Sequence, residues 1–244
     1  ILSIVVLVSV QLLIDRANKA YYKAQEEMMI LAGREYFSDY RNKLPKDLGP
    51  IEKVSLKTLI DEKYIDPILD RNNNACNYEG SYVFVQHRSA ETYEYEAFLD
   101  CNLGGYETED DKESPTITFV PESDSSGDII HVTMTVADNK EVLSYRYEIE
   151  KDGELDTNMG YRNYKEPVGI DLVGEGTYYI TGYAYDTKGN LATKKSGQYV
   201  IDNTPPDCNE LTFEPNDTAN KWVSKPVDIK INLPSKGVAY WDWY

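Results

Sequence analysis

The stretch GYAYDTKGNLA, residues 182–192, carries oxygen-bearing side chains at Asp186, Thr187 and Asn190 around a glycine. Such oxygens are typical Ca²⁺ ligands, but a helix-loop-helix calcium loop also needs a closing glutamate, and here Lys188 occupies a ligand position. The tyrosines before the loop alternate with small or apolar residues, and Gly189 tolerates positive φ. The spacing therefore predicts a hairpin turn first, and cation binding only if the fold brings more oxygens near.

A second polar turn, D-N-K-E at residues 138–141, lies between two predicted strands. In a sandwich of antiparallel strands, this turn lies at the same end as the Asp186 turn. The residues that could meet around a calcium ion there are Asp138, Glu141, Asp186 and Asn190. The same side chains could instead cap turns and bond local amides. Both alternatives stay open, and the sequence indicates no cofactor other than calcium.

No pattern in the sequence indicates an enzyme. His87 and His131 lie in or beside predicted strands of different domains. The chain contains no G-x-S-x-G elbow, no H-E-x-x-H helix and no glycine-rich phosphate loop. The acidic run at residues 109–111 lies in a charged segment without the burial that raises a catalytic pKa. We therefore predict a protein without catalytic activity.

The charge balance excludes one class of partner. The chain has 25 Lys and Arg against 42 Asp and Glu, a net charge of -17. Binding to nucleic acid or to anionic membrane surfaces relies on clustered basic residues, so neither is expected. Twenty-one tyrosines against five phenylalanines suit exposed sheets, because tyrosine packs its ring and keeps its hydroxyl in water. The composition favours an extracellular, β-rich protein.

The three cysteines form no zinc-binding spacing. Cys76 and Cys101 flank a small β-unit and are predicted to form a disulfide; two reduced, buried thiols are the alternative. Cys208 is expected to bond to neither of them, and a partner for it would lie beyond Tyr244.

The N-terminal segment predicts one long helix over residues 1–43. Residues 1–14 are apolar, yet as a helix they cover only about 21 Å, less than the roughly 30 Å of a bilayer core. They form either a buried core helix or the end of a longer apolar segment. A continuing three-four pattern favours the second and places this helix in a membrane or a filament core. Its apolar face consists of Leu13, Ala17, Ala20, Ala24, Met28 and Leu31.

Residues 44–105 predict a small α+β head. VSLKTLIDEKYIDPILD begins a short helix with Ser55 as N-cap and ends near Asp66-Pro67, and SYVFVQ and YEYEAFLDC form two strands. The apolar-to-amphipathic helix, the L-x-x-L-I-x-x-x-Y-I-D-P motif and the hairpin between cysteines resemble a type IV pilin or pseudopilin of Gram-positive bacteria. The resemblance implies assembly with like subunits through the helix. The family's Gly-Phe start and glutamate would lie upstream of Ile1.

Residues 106–114 are charged and are predicted to form a linker. Over residues 115–204, alternation of apolar and polar residues predicts successive strands and indicates an all-β sandwich. PTITFVP is then echoed by NELTFEP, which predicts the start of a second, incomplete sandwich at residues 205–244. The motif D-N-x-x-V-x-x-Y-x-Y, with Y-A-Y-D-T-K-G-N and Y-V-I-D-N-T-P-P, resembles immunoglobulin-like modules of bacterial surface proteins.

The predicted fold is thus multidomain: a long helix with an α+β pilin-like head, then immunoglobulin-like sandwiches. The predicted function is structural or adhesive, at the bacterial cell surface, in a filament or anchored to the membrane. Partners are like subunits or membrane lipid at the helix and an unidentified surface ligand. The alternative is a single-pass anchored receptor or a secretion-system component, in which the helix only tethers.

Overall fold

A computed structural model describes residues 2–204 except 90, 102–104 and 126, together with 212–214 and 230–232. Side chains are described from residue 14 to residue 204, with the same gaps. The described chain is mostly β, with one long N-terminal helix and several antiparallel sheets. The helices are α1 (Leu2–Asp39) and α2 (Leu56–Asp61), with a 3-10 helix at Arg41–Lys43.

The strands fall into three groups along the chain. The head, which is α2 with the strands before residue 108, contains β1 (Ile51–Ser55), β2 (Tyr82–Ser89), β3 (Thr92–Phe98), β4 (Asp100–Cys101) and β5 (Tyr106–Glu107). The sandwich contains β6 (Thr116–Val120), β7 (Ile129–Ala137), β8 (Val142–Lys151), β9 (Glu154–Asn158), β10 (Arg162–Asn163), β11 (Val168–Val173), β12 (Gly176–Asp186), β13 (Leu191–Lys195) and β14 (Tyr199–Ile201). Last come β15 (Thr212–Glu214) and β16 (Lys230–Asn232), which pair antiparallel.

The head is built on an antiparallel sheet of order β1-β2-β3, and α1 packs across one face of it. Gly33 lets the helix approach closely, because a Cβ there would lie 2.5 Å from Val83 Cγ1. The helix side chains buried in this core are Tyr22, Met29, Ala32, Tyr36 and Phe37. The predicted disulfide between Cys76 and Cys101 is confirmed, with 4.4 Å between the Cα atoms.

The long helix is confirmed, although it ends before the predicted residue 43. It stops at Asp39, and the 3-10 helix Arg41–Lys43 leads into Leu44-Pro45, where the ring of the proline disfavours helical backbone in the preceding residue. In the described part of the chain, no helix has the length and apolar character needed to cross a membrane.

The short helix is also confirmed, with Ser55 Oγ accepting a hydrogen bond from the amide of Thr58. It ends at Asp61 and not near Asp66-Pro67, because Lys63, which follows the C-cap Glu62, adopts a positive φ of 68°. Strand β1, which ends at Ser55, was not among the predicted elements.

The sandwich consists of two sheets around one core. A three-stranded sheet of order β11-β7-β6 faces a six-stranded sheet built on β10-β8-β12-β13. In β7 and β12, buried and more exposed residues alternate, as expected for strands with one face in a core. The core residues are Ile117, Phe119, Ile130, Val132, Met134, Val136, Ile149, Ile170, Leu172, Tyr178, Ile180, Ala184, Tyr199 and Ile201.

The hairpin at residues 186–190 is confirmed, because β12 ends at Asp186, β13 begins at Leu191 and Gly189 has a φ of 85°. One detail of the prediction was wrong. The strand expected to follow the turn was S-G-Q-Y-V-I-D, but that segment forms β14, which pairs with the opposite end of β12. Most of residues 205–244, including Cys208, lies outside the described residues.

Candidate metal centre between linker and sandwich

The turn after β12 is organised by Asp186, whose side chain is fully buried. Its Oδ1 accepts hydrogen bonds of 2.8 Å from the amides of both Lys188 and Asn190. Its Oδ2 accepts one of 2.8 Å from Asn190 Nδ2. An aspartate that bonds the amide two residues on is a common turn-forming arrangement, so this carboxylate fixes the hairpin.

The turn between β7 and β8 lies directly beside the Asp186 turn. The backbone oxygen of Glu141 accepts a 3.0 Å hydrogen bond from the amide of Thr187, which joins the two turns. Asp138 Oδ2 accepts one of 3.0 Å from the amide of Lys140. The side chain of Glu141 is exposed. The two polar turns therefore meet at one end of the sandwich, as the sequence predicted.

A third carboxylate joins them from the segment predicted to be a linker. Oxygen atoms of Asp111, Asp138 and Asp186 lie within 4.8 Å of one another. Asp111 Oδ1 accepts hydrogen bonds from the amide of Glu113 at 3.2 Å and from Asn139 Nδ2 at 3.3 Å. Its Oδ2 is buried and accepts none from the described residues. One oxygen of this cluster is thus left without a donor.

No basic side chain of the described residues forms an ion pair with these three aspartates. Lys188, two residues after Asp186, pairs with Glu96 of the head instead. Each pair of ionised carboxylates at this separation repels by about 1–3 kcal/mol, allowing for the partial exposure of Asp111 and Asp138. A donor set made only of oxygen is the chemistry that suits Ca²⁺ or Mg²⁺.

A cavity of about 990 Å³ opens beside the cluster. It gives solvent ions a path to Asp111. Acidic residues outnumber basic ones in its wall, which favours cations. The charged residues that line it are Glu107, Glu109, Asp110, Asp111, Lys112, Glu113, Lys140 and Lys188.

The structure brings together only part of the predicted ligand set. Asp138 and Asp186 lie in the cluster, whereas Glu141 contributes only a backbone bond between the turns. Asn190 directs Nδ2 to Asp186 and, at 2.9 Å, to the backbone oxygen of Asp111, so it secures the turn and the linker. Asp111 was missed because it lies in a run of acids, and nothing in that run distinguishes it from its neighbours.

Neither histidine belongs to this cluster. His131 Nδ1 lies 2.7 Å from Asp171 Oδ1, and both side chains are exposed. His87 stacks on Tyr93 with 4.8 Å between the ring centroids.

No protein-family model matches the chain, and no curated protein matches it.

Proposed function

We propose that the chain is a structural or adhesive subunit of a bacterial cell surface, similar in build to type IV pilins and pseudopilins. In this role α1 carries the assembly contacts, and the head presents an immunoglobulin-like sandwich outward. The surface ligand would be bound by loops or by the tyrosine-rich sheet faces, without turnover.

The observation that supports the proposal is an exposed apolar stripe on α1. Its residues lie opposite the face that packs on the head, and Leu31 and Met28 are 64% and 44% exposed. The described members of the stripe are Ala17, Ala20, Ala24, Met28 and Leu31, all of them exposed; the side chain of Leu13 lies outside the described residues. An exposed apolar helix face of this length is typical of a surface that another molecule covers.

The position of the stripe favours a protein partner over lipid at its C-terminal end. Met28 and Leu31 are adjacent in the helix to Met29 and Ala32, which are buried against the head. Lipid around Leu31 would therefore bring the charged head to the depth of the acyl chains, at a large cost in desolvation. A neighbouring helix of a like subunit covers the same surface without that cost.

The competing function is a tether. In a single-pass anchored receptor or a secretion-system component, α1 holds the chain at the membrane and forms no ordered contact with a second copy. The two functions differ in whether the stripe mediates self-association.

The test compares glutamine substitutions on and beside the stripe. Met28→Gln with Leu31→Gln removes apolar surface, whereas Glu27→Gln places the same side chain on the neighbouring polar face. Sedimentation of the full chain in mild detergent should show oligomers for the wild type and for Glu27→Gln, and monomers for the double variant. Equal association of all three proteins would favour the tether.

We also infer that Asp111, Asp138 and Asp186 bind a calcium ion. The supporting observation is the buried, donor-free Oδ2 of Asp111 in a cluster without a basic partner among the described residues. Isothermal titration of the full chain with CaCl₂ tests this, with Asp138→Asn as the site variant and the exposed Asp128→Asn as its control. Binding that is lost only in Asp138→Asn supports the site, and equal heats in all three proteins contradict it.

A further inference from the structure

The head sheet has a second face, opposite α1, that is buried in part, at Phe84 and Gln86. In β2, Val83 and Val85 point into the core beneath the helix, so Phe84 and Gln86 alternate to the other side. Phe84 is nevertheless 6% exposed and Gln86 is 0% exposed. The turns of the sandwich contact this face, so the head and the sandwich share a buried interface.

Gln86 lies at the centre of this interface, which we call the joint. Its Nε2 donates to the backbone oxygen of Gly49 at 2.6 Å and to that of Asp186, in the sandwich, at 3.0 Å. Its Oε1 accepts no hydrogen bond from the described residues, so the Nε2 bonds carry the whole interaction. A buried amide whose donors lost these partners would be strongly unfavourable, so Gln86 ties the position of the turn to that of the head sheet.

Further polar contacts surround Gln86. Arg88 Nη2 donates to the backbone oxygen of Thr187 at 3.2 Å, and Lys188 pairs with Glu96. On the other side, Ser144 Oγ donates to the backbone oxygen of Leu48 at 3.0 Å. These contacts join β2, β3 and the loop before β1 in the head to the turn after β12 and to β8 in the sandwich, so they restrain rotation as well as separation.

One close backbone approach in the joint is at Gly189. A Cβ at this position would lie 2.6 Å from Ile51 Cγ2, nearer than real Cβ atoms come to a neighbour. Its φ of 85° also favours glycine. The turn is therefore packed against β1 without a gap in which the two units could slide.

We propose that the head and the sandwich form one rigid body, with Gln86 as the positioning residue of the joint. The orientation of the sandwich relative to α1 is then set by the joint, and the segment 106–114 is not a hinge. The proposal depends only on these contacts and not on the surface role or on calcium. For any function that displays the sandwich, it means that a force on the sandwich reaches α1 directly.

Hydrogen exchange of the full chain tests the joint from both sides. Gln86→Leu keeps the side-chain volume and removes both donors, and Gln198→Leu, at an exposed position of the sandwich, is the matched control. We expect amides at residues 187–190 to exchange about tenfold faster or more in Gln86→Leu, and at the wild-type rate in Gln198→Leu. Faster exchange confined to the head strands would overturn the proposal.

The second variant, Gly189→Ala, perturbs the joint from the sandwich side. Its effect is measured as hydrogen exchange at amides of the head. We expect faster exchange at the amides of Gly49, Ile51 and Glu52 as the methyl group displaces Ile51. Wild-type exchange at those residues, with faster exchange only inside the hairpin, would show that the turn moves independently and would overturn the rigid joint. This variant also decides the question if Gln86→Leu does not fold.

Discussion

The rings of Tyr22 and Tyr106 stack 4.4 Å apart at an interplanar angle of 14°, which joins α1 to the last strand of the head. Tyr106 Oη also donates to Glu26 Oε1 at 2.6 Å, and Thr108 Oγ1 donates to the same oxygen at 2.6 Å. Burial and the hydrogen bond to Glu26 raise the pKa of the Tyr106 hydroxyl. The helix is thus fastened to the segment that leads into the sandwich.

Two substitutions distinguish what the ring of Tyr106 contributes to stability from what its hydroxyl contributes. Tyr106→Phe keeps the stack and should lower the free energy of unfolding by about 1–2 kcal/mol, because the bond to Glu26 is lost. Tyr106→Ala should lower it by about 3 kcal/mol, since the ring contacts are lost as well. Urea unfolding of the full chain measures both. Equal losses would mean that the stack on Tyr22 contributes nothing.

The disulfide should stabilise the head by reducing the number of conformations open to the unfolded chain. Cys76 and Cys101 are 25 residues apart, which corresponds to about 3.5 kcal/mol in the chain-entropy model. Replacing both with serine should lower the free energy of unfolding by that amount. Reductant should have a similar effect on the wild type and none on the double variant. An effect of reductant on the variant would indicate that another thiol is responsible.

Much of the fold could be predicted from local patterns. The three-four spacing of α1, the Ser55 cap and the alternation in β7 and β12 are properties of short segments, and the structure contains all of them. The edge strands β9, β10 and β13 were not predicted. They are short or largely polar, so their pairing with β8 and β12 stabilises them more than their own sequence does.

The candidate site and the joint depend on contacts between distant segments. Asp111 is held at the cluster by Asn190, which bonds its backbone oxygen, and by Asn139, which bonds its carboxylate, and no local pattern encodes either bond. The burial of Gln86 was weakly indicated by the sequence. In SYVFVQ the apolar residues do not alternate with polar ones, as expected when both faces of a strand are covered. The sequence could not show what covers the second face.

Low pH should destabilise the loop after Ile68, because Asp70 then loses its charge. The backbone amide of Asn74 donates to Asp70 Oδ1 at 2.8 Å, and its side chain donates to Oδ2 at 3.1 Å. These bonds, with one from the amide of Asn72, hold the pKa of Asp70 below its ordinary value. A depressed pKa means that the ionised carboxylate stabilises the fold above about pH 4, and that this contribution is lost as the pH falls through the folded-state pKa.

Asp70→Asn should therefore be less stable than the wild type at pH 7, and the difference should shrink as the pH falls below about 4. Urea unfolding at pH 7 and pH 3 measures it, with the exposed Asp156→Asn as the control. A difference that stays constant with pH would mean that the carboxylate charge has no part in the loop.

Calcium should reverse the order of stability between the wild type and a variant of the acidic cluster. With chelator, Asp111→Asn removes one charge from a group of carboxylates within 4.8 Å and keeps an oxygen for the donors of Glu113 and Asn139. It should therefore melt at the same temperature as the wild type or higher.

With calcium at a hundred times the dissociation constant, the wild type should gain about 2.7 kcal/mol, or about 5–10 °C in Tm, by mass action. Asp111→Asn should gain much less, because it lacks one anionic ligand. Thermal melts of both proteins at constant ionic strength, with calcium and with chelator, give the four midpoints. If the wild type melts at the same temperature in both conditions, the cluster does not bind calcium, and residues 186–190 serve only as a hairpin turn and as part of the joint.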